Sequence, residues 1–287
     1  MSTPPTAGAL LARHGLRAKK SWGQNFLVDE RAYREIVGAL DLDRQRWVVE
    51  IGAGLGTLTW RLAAVAGQVV AVERDRDLCA VLRTELGGPI DGLAPVEIAE
   101  ANALTFDYAQ LADRAGRPIA AVGNLPYQIA SQILFRLLET PARFTRIVIM
   151  LQKEMADRIV SPPGQGAYGA LSVMVQQAGQ ARIVCRVRPG GFLPPPKVDS
   201  AVVEIVPYPA GRAPLADAAR FSRVVHAAFQ MRRKTLRNAL GRLADTARLD
   251  AAFAAAHVDP QRRGETLSVE EFAALTAAIG PLEGERA

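Results

Sequence analysis

Cysteine is scarce in this chain: Cys79 and Cys185 are the only two in 287 residues. Far apart, on an apparent helix and an apparent strand, they make no disulfide framework and suit a reducing compartment. Histidine is almost as rare. His14, His226 and His257 are scattered and show no metal-ligand spacing among themselves or with the cysteines, so no metal is expected. No hydrophobic run approaches the roughly 20 apolar residues that a membrane helix needs. The start Met-Ser-Thr-Pro-Pro lacks the basic stretch and apolar core of a secretory signal. These absences lead to the expectation of a cytoplasmic protein. Lysine is also rare, at five of the 35 basic residues, which says nothing about activity.

Acid is missing from two stretches. Residues 1–28 carry Arg13, Arg17, Lys19 and Lys20 and no carboxylate. Residues 218–244 carry Arg220, Arg223, Arg232, Arg233, Lys234, Arg237 and Arg242, again with no carboxylate. The net charge is +6, with an isoelectric point near 9.7, which suits a polyanionic partner. Solvated helices usually mix signs, so the one-sided stretch at 218–244 reads as a nucleic-acid contact. Read as a helix, it puts Arg233 and Arg237 on one face with Arg232 and Lys234 flanking them. Val224, Val225, Ala228, Leu236 and Leu240 supply its apolar face.

With 49% hydrophobic residues, the chain can bury a substantial core. Candidate strands end near Ile51, Val72, Ile98, Val122, Leu151, Arg188 and Val206, with helical patterns such as Leu78–Leu86 and Ile129–Leu138 between them. Alternation of this kind implies a three-layer α/β sandwich. Pro207 to Pro214 reads as a linker, and Ala-rich helical segments follow it. The last is announced by Ser268-Val269-Glu270-Glu271, a capping-box pattern. The expected domains are therefore 1–207, with a basic arm at 1–28, and a small helical domain at 215–287. The tails at 1–10 and 283–287 read as loose.

Two turns carry chemistry. After the strand Trp47–Ile51 comes Gly52-Ala53-Gly54-Leu55-Gly56, then a helix from Thr57. Strand, glycine turn and helix are the nucleotide-binding order. The next strand ends in Glu73, placed to accept ribose hydroxyls. The spacing is Gly-x-Gly-x-Gly rather than the dinucleotide pattern, which favours an adenosine without a diphosphate. S-adenosylmethionine fits that better than NAD. The second turn, Gly123-Asn124-Leu125-Pro126-Tyr127, ends the run Ile119–Val122. It offers an amide, a backbone carbonyl and an aromatic ring together. A base amino group is a poor nucleophile because its lone pair is conjugated with the ring. The Asn124 amide oxygen and the Leu125 carbonyl can hold its hydrogens, while Tyr127 stacks on the base. Alone, this segment also reads as an ordinary strand-ending turn.

At this point the chain resembles the bacterial small-subunit (16S) ribosomal RNA adenine dimethyltransferase family. Gln24-Asn25-Phe26-Leu27, Glu50 to Gly56, Glu73, Asn124 to Tyr127, Gln152-Lys153-Glu154, Phe192 to Ser200 and Phe229 to Asn238 carry the resemblance, over roughly residues 15–280. It implies a Rossmann-like class I methyltransferase sheet of seven strands, the last antiparallel, with a small C-terminal helical domain. It implies S-adenosylmethionine as cofactor, held by Asn25, Leu27, Gly52, Gly54, Glu73, Asn102 and Asn124. The implied catalytic residues are Asn124, Leu125, Pro126, Tyr127 and Phe192, with Phe192 covering the second face of the base. Arg232, Arg233, Lys234 and Arg237 are the implied RNA contacts, and the partner is the small ribosomal subunit or its precursor, bound by a monomer. Asn102 departs from the family's usual Asp, which puts cofactor affinity in doubt because an amide lacks the charge. Competing readings are a large-subunit RNA methyltransferase, a DNA amino-methyltransferase and a non-catalytic assembly factor on the same fold.

Overall fold

The computed structural model of the chain describes residues 4–19, 22–126, 128–231 and 233–282. Its strands in chain order are β1 (Phe26–Leu27), β2 (Trp47–Ile51), β3 (Gln68–Glu73), β4 (Val96–Glu100) and β5 (Ile119–Asn124). Then come β6 (Phe144–Gln152), β7 (Gly179–Val187), β8 (Phe192–Leu193) and β9 (Ser200–Pro207). Seven of them form one sheet in the order β4-β3-β2-β5-β6-β9-β7, while β1 and β8 pair separately. The pairs β2–β3, β3–β4, β2–β5 and β5–β6 are parallel, and β9 runs antiparallel to β6, as expected for the last strand.

Parallel strands are covered on both faces, so they read as unbroken apolar runs. Val48, Val49, Val69 to Val72 and Ile119 to Val122 are at most 1% exposed. The helices up to residue 160 are α1 (Ala7–Arg13), α2 (Glu30–Ala39), α3 (Thr57–Ala63), α4 (Arg76–Leu86), α5 (Tyr108–Ala115), α6 (Ala130–Leu138) and α7 (Lys153–Val160). Asp29, Asp75 and Asp107 cap α2, α4 and α5 by accepting first-turn backbone N–H groups.

The strand order reverses at β2. Strand β3 leaves it on one side and β5 lies on the other, so the loops after β2 and β5 diverge and open a crevice at their carboxyl ends. The register Ile51↔Gly123 places Gly52 and Asn124 side by side at that crevice. Both turns that the sequence singles out are therefore brought together by strand order alone.

The chain divides into two compact units, Met1–Ala156 with Arg182–Pro207, and Asp157–Ala181 with Tyr208–Ala287. Where the sequence reading puts 157–181 with the sheet, the structure puts it with the helices. The reason is apolar: Tyr168 and Val173 are buried in one cluster with Phe221, Phe253, Leu267 and Phe272. The second unit contains α8 (Ala170–Ala178), α9 (Ala218–Gln230), α10 (Leu236–Leu240), α11 (Thr246–Ala255) and α12 (Val269–Ile279). Ser268 caps α12, accepting from Glu271 N while Glu271 accepts from Ser268 N. The expected linker is anchored there: the Gln177 side chain brackets Ala213, donating to its carbonyl and accepting from its N–H.

The expected loose start is corrected as well. Ala7 and Leu10 of α1 are buried, packed in a cluster with Phe26, Leu55 and Leu78, so residues 7–13 are a docked helix. Among the described residues no helix is long and apolar enough to cross a membrane.

Gly123 sits where β2 and β5 touch, and a Cβ there would meet the Ile51 carbonyl oxygen at 2.6 Å. Gly123→Ala must therefore push the two strands apart under the crevice. The expected loss is roughly 1–3 kcal/mol of stability, as for other overpacked sites, read by thermal or urea unfolding. Unchanged unfolding would show that the strands yield freely.

Candidate functional site

A cavity opens at the crevice. Its floor is the glycine turn and the end of β5, and its walls include Glu73, Asn102, Asn25 and Trp22. Gly52 and Gly54 both have positive φ, 73° and 60°, a region that side chains rarely adopt. A Cβ on Gly52 would point across the cavity to within 3.9 Å of the Asn124 carbonyl oxygen. Bare backbone thus lines the place where a ligand must approach closely.

Glu73 is buried at the tip of β3. Its Oε2 accepts from Gly54 N at 2.9 Å, and its Oε1 accepts from Arg74 N and Asp75 N at 2.8 and 2.9 Å. A carboxylate offers about four acceptor positions. Three are taken by N–H groups that shape the glycine turn, which leaves room for about one ligand hydroxyl beside the turn it braces.

Asn102 follows β4 and lines the same cavity. Its Oδ1 accepts from Leu104 N at 3.0 Å, closing an Asx turn. The residue is thus both the turn former and the wall. One lone pair of its oxygen and both amide hydrogens remain.

At the end of β5, Asn124 Nδ2 donates to the Asn25 carbonyl at 2.9 Å. That bond fixes the amide with its oxygen as the unused acceptor. Asn25 in turn donates its own Nδ2 to the Gly23 carbonyl at 3.0 Å. Leu125 N–H donates to the Met150 carbonyl, and Ile129 N–H to that of Pro126, so the turn is pinned at both ends. Asn124, Leu125 and Pro126 all line the cavity, and Tyr127 lies outside the described residues.

Leu27 and Phe192 are placed differently from the sequence expectation. They are partners in the β1–β8 pair, and both are buried in the core cluster rather than in the cavity wall. Phe192 is only 4% exposed, and its ring packs into the core cluster. The physical reason is the alternation of the short pair: Phe192 turns inward while Leu193 is 38% exposed. The Tyr33 hydroxyl donates to the Leu27 carbonyl at 2.5 Å and lies 2.7 Å from Thr57 Oγ1. Tyr33 thereby pins β1 to the first residue after the glycine turn.

The N-terminal arm is held by polar latches over the turn between β3 and α4. Lys19 Nζ pairs with Asp75 and Asp77 at 2.8 Å each, and Gln24 Nε2 donates to Asp75 at 2.8 Å. Arg13 and His14 both reach Glu85 at 2.7 Å. The bonds from His14 and Arg13 hold the Glu85 carboxyl below its ordinary range despite opposing desolvation, the largest single influence on it. Two of the arm's cations therefore answer the protein's own acids. Lys20 lies outside the described residues.

In the second unit the basic stretch is not one helix. α9 ends at Gln230, Met231 and Arg233 lie in turns, and Thr235 takes the N-cap position of α10 without a side-chain bond. Lys234 N–H donates to the Met231 carbonyl at 2.8 Å. Arg233 and Arg237 consequently do not share a helical face. Arg237 pairs with Asp250, whereas Arg233 and Lys234 are exposed; Arg232 lies outside the described residues. The apolar residues Val224, Val225, Ala228, Leu236 and Leu240 are buried as expected.

Three features had no readable signal. The Asn25–Asn124 bond joins residues 99 apart. Tyr33 looks like any helix aromatic, and Trp22 gains meaning only once the arm is seen over the cavity.

Known proteins bear on this geometry. A family model described as "Ribosomal RNA adenine dimethylase" matches residues 15–279. A protein of Anaeromyxobacter dehalogenans named ribosomal RNA small subunit methyltransferase A is 50% identical, across 96% of this chain and 98% of its own. One of the same name from Myxococcus xanthus is 50% identical across 95% of each. Among solved structures, the 23S rRNA methyltransferase ErmE superposes with TM-score 0.66 at 28% identity, covering 89% of this chain and 99% of its own. A dimethyladenosine transferase from Plasmodium falciparum gives 0.73 at 23% identity, over 90% and 99%, and shares the fold.

Glu50, beneath the glycine turn, is 3% exposed and accepts from Thr59 Oγ1 at 2.5 Å. Burial pushes its pKa up to about 8 from the usual 4.5, against the lowering effect of the Thr59 bond. The folded state thus binds a proton that the unfolded state releases at lower pH. Its stabilisation is complete below about 4.5 and is lost as pH rises through about 8. Melting temperature should fall more steeply from pH 6 to 9 in the wild type than in Glu50→Gln. Equal slopes would contradict a protonated Glu50.

Proposed function

The chain belongs to the ribosomal RNA adenine dimethylase family, and on that premise we propose that it dimethylates the exocyclic amino groups of two adjacent adenines in small-subunit 16S rRNA. S-adenosylmethionine is the proposed methyl donor; when bound, it supplies an activated methyl group on its sulfonium. The proposed partner is the small ribosomal subunit or its assembly intermediate, met in the cytoplasm by a monomer. The observation that carries the reading is Asn124, whose amide NH2 donates one hydrogen to the Asn25 carbonyl, an orientation that leaves its oxygen as an acceptor in the cavity.

The residues present suit an adenosine cofactor. Gly52 and Gly54 present left-handed backbone without side chains at the cavity, Glu73 keeps one acceptor position, and Asn102 and Asn25 offer amide groups. Leu27 and Phe192 serve from behind, tying β1 to β8 so that Asn25 stays against Asn124. The Asn124 oxygen and the Leu125 carbonyl take the hydrogens of the target amino group and free its lone pair. Pro126 stiffens that turn, and Tyr127 stacks on the flipped base by family resemblance. No side chain need act as nucleophile. Alignment and polarisation account for the rate, and the proton of the alkylated nitrogen leaves to water. In the second unit Arg233 and Lys234 contact phosphate, with Arg232 beside them in sequence. Such contacts add affinity without reading sequence.

Asn124→Ala should slow methyl transfer to unmethylated small subunits roughly 100-fold or more, the scale of a lost polarising group, with S-adenosylhomocysteine affinity within about threefold of wild type. Retained turnover would refute the acceptor role. Reversing the charge of Arg233 and Lys234 together should weaken RNA binding and flatten its dependence on salt by about two phosphate contacts. An unchanged salt slope would remove them from the RNA contact.

A further inference from the structure

Tyr33, near the start of α2, is 2% exposed, and a phenylalanine would fill the same space with no hydroxyl to desolvate. What the hydroxyl adds is a pair of hydrogen bonds. A phenol has one hydrogen to give. Donated to the Leu27 carbonyl at 2.5 Å, it leaves the 2.7 Å contact with Thr57 Oγ1 to be made by the threonine's hydrogen. Burial pushes the phenol up to about 12, so it keeps that hydrogen throughout the neutral range. The Arg61 guanidinium carbon lies 3.9 Å from the ring centroid. Arg61 also donates to the Thr57 carbonyl at 2.6 Å and pairs with Glu30 at 2.5 Å. The ring and its bonds are thus clamped between α2 and α3.

The relay ends on the strand that carries the Asn124 anchor. β1 has only two residues, Phe26 and Leu27, and Asn25 directly precedes it. Two contacts seat β1 against the glycine turn and the helix after it. One is the Phe26 ring beside Gly54, where a Cβ would meet it at 3.3 Å. The other is the bond from Tyr33 to the Leu27 carbonyl. A ring contact is non-directional and lets a strand slide, whereas a hydrogen bond fixes its partner in distance and angle. Two residues before the held carbonyl, that of Asn25 accepts from Asn124 Nδ2 at 2.9 Å. A slide of β1 by about 0.5 Å would stretch that bond beyond the normal range and free the amide to turn over.

We propose that Tyr33 is a positioning residue for methyl transfer: by tying the Leu27 carbonyl to Thr57, its hydroxyl fixes β1 so that the Asn25 carbonyl holds the Asn124 amide with its oxygen toward the substrate. This rests on the adenine-methylation reading above, in which that oxygen accepts from the target amino group. Tyr33 does not line the cavity and touches no reacting atom. It acts through Asn25. Thr57 is the first residue of α3, so the helix after the glycine turn and the strand that orients the amide are held as one body.

The test compares Tyr33→Phe with wild type in the full chain, well below the melting temperature of either. Three readouts are taken: methyl transfer to unmethylated small subunits, calorimetric binding of S-adenosylhomocysteine, and hydrogen exchange of the ligand-free protein by mass spectrometry. Removing the hydroxyl should lower kcat roughly threefold to tenfold, the scale of one buried hydrogen bond. The KM for subunits and the affinity for S-adenosylhomocysteine should stay within about threefold, on the same scale. In an Asn124→Ala background the same substitution should cost nothing further, because no amide is left to orient. Exchange should quicken at residues 25–28 and not in α5. A kcat within about twofold of wild type overturns the proposal. So does an equal loss in the Asn124→Ala background, or exchange that quickens evenly across the unit, either of which makes Tyr33 a stabilising residue only. Exchange needs no turnover, so the two failures separate. A wild type that methylates no small subunit overturns the functional reading, whereas unchanged exchange at 25–28 in Tyr33→Phe overturns this proposal.

Discussion

The hydrogen bond from Asn124 Nδ2 to the Asn25 carbonyl is the constraint on which the site depends. It decides which end of the amide faces the cavity, and it does so across 99 residues of chain. The sheet brings Asn124 beside Gly52 through the β2–β5 register, and the β1–β8 pair brings Asn25 to meet it. Neither arrangement alone would orient the amide. A free Asn side chain can rotate and present a donor, which would repel the hydrogens of an amino group instead of accepting them.

The same economy governs the rest of the pocket. Glu73 braces the glycine turn with three of its acceptor positions and keeps about one for a ligand. Asp75 caps α4 and also fixes Lys19 and Gln24. Asn102 forms its own turn while serving as wall. Glu73 and Asn102 each do structural work with part of the side chain and leave another part free. The pocket is therefore shaped before anything enters, which lowers the ordering cost of binding.

Much of this was legible in the sequence, and the limits have physical causes. The seven sheet strands were readable because buried parallel strands are continuous apolar runs, as at Val69 to Val72. The glycine turn, Glu73 and Asn124 were readable because close approach and polarisation each need a particular residue type. The short strands β1 and β8 were not, since two residues make no periodic signal. Phe192 was placed over the base by resemblance, whereas strand alternation turns it into the core. The basic stretch was read as one helix on charge and apolar spacing, but α9 ends at Gln230 and α10 begins only at Leu236, with Arg237 paired to Asp250. Residues 1–10 were read as loose on composition, yet Ala7 and Leu10 are buried partners for Leu55 and Leu78.

The most direct measurement incubates the purified protein with methyl-labelled S-adenosylmethionine and, in parallel, unmethylated small subunits, large subunits or duplex DNA, followed by digestion and identification of the labelled nucleoside. Dimethyladenosine from small subunits alone is the expected result. It would report the amino group as acceptor, the substrate class and the second transfer at once. Label confined to large subunits or DNA, or no label from a protein that binds the cofactor, would contradict it.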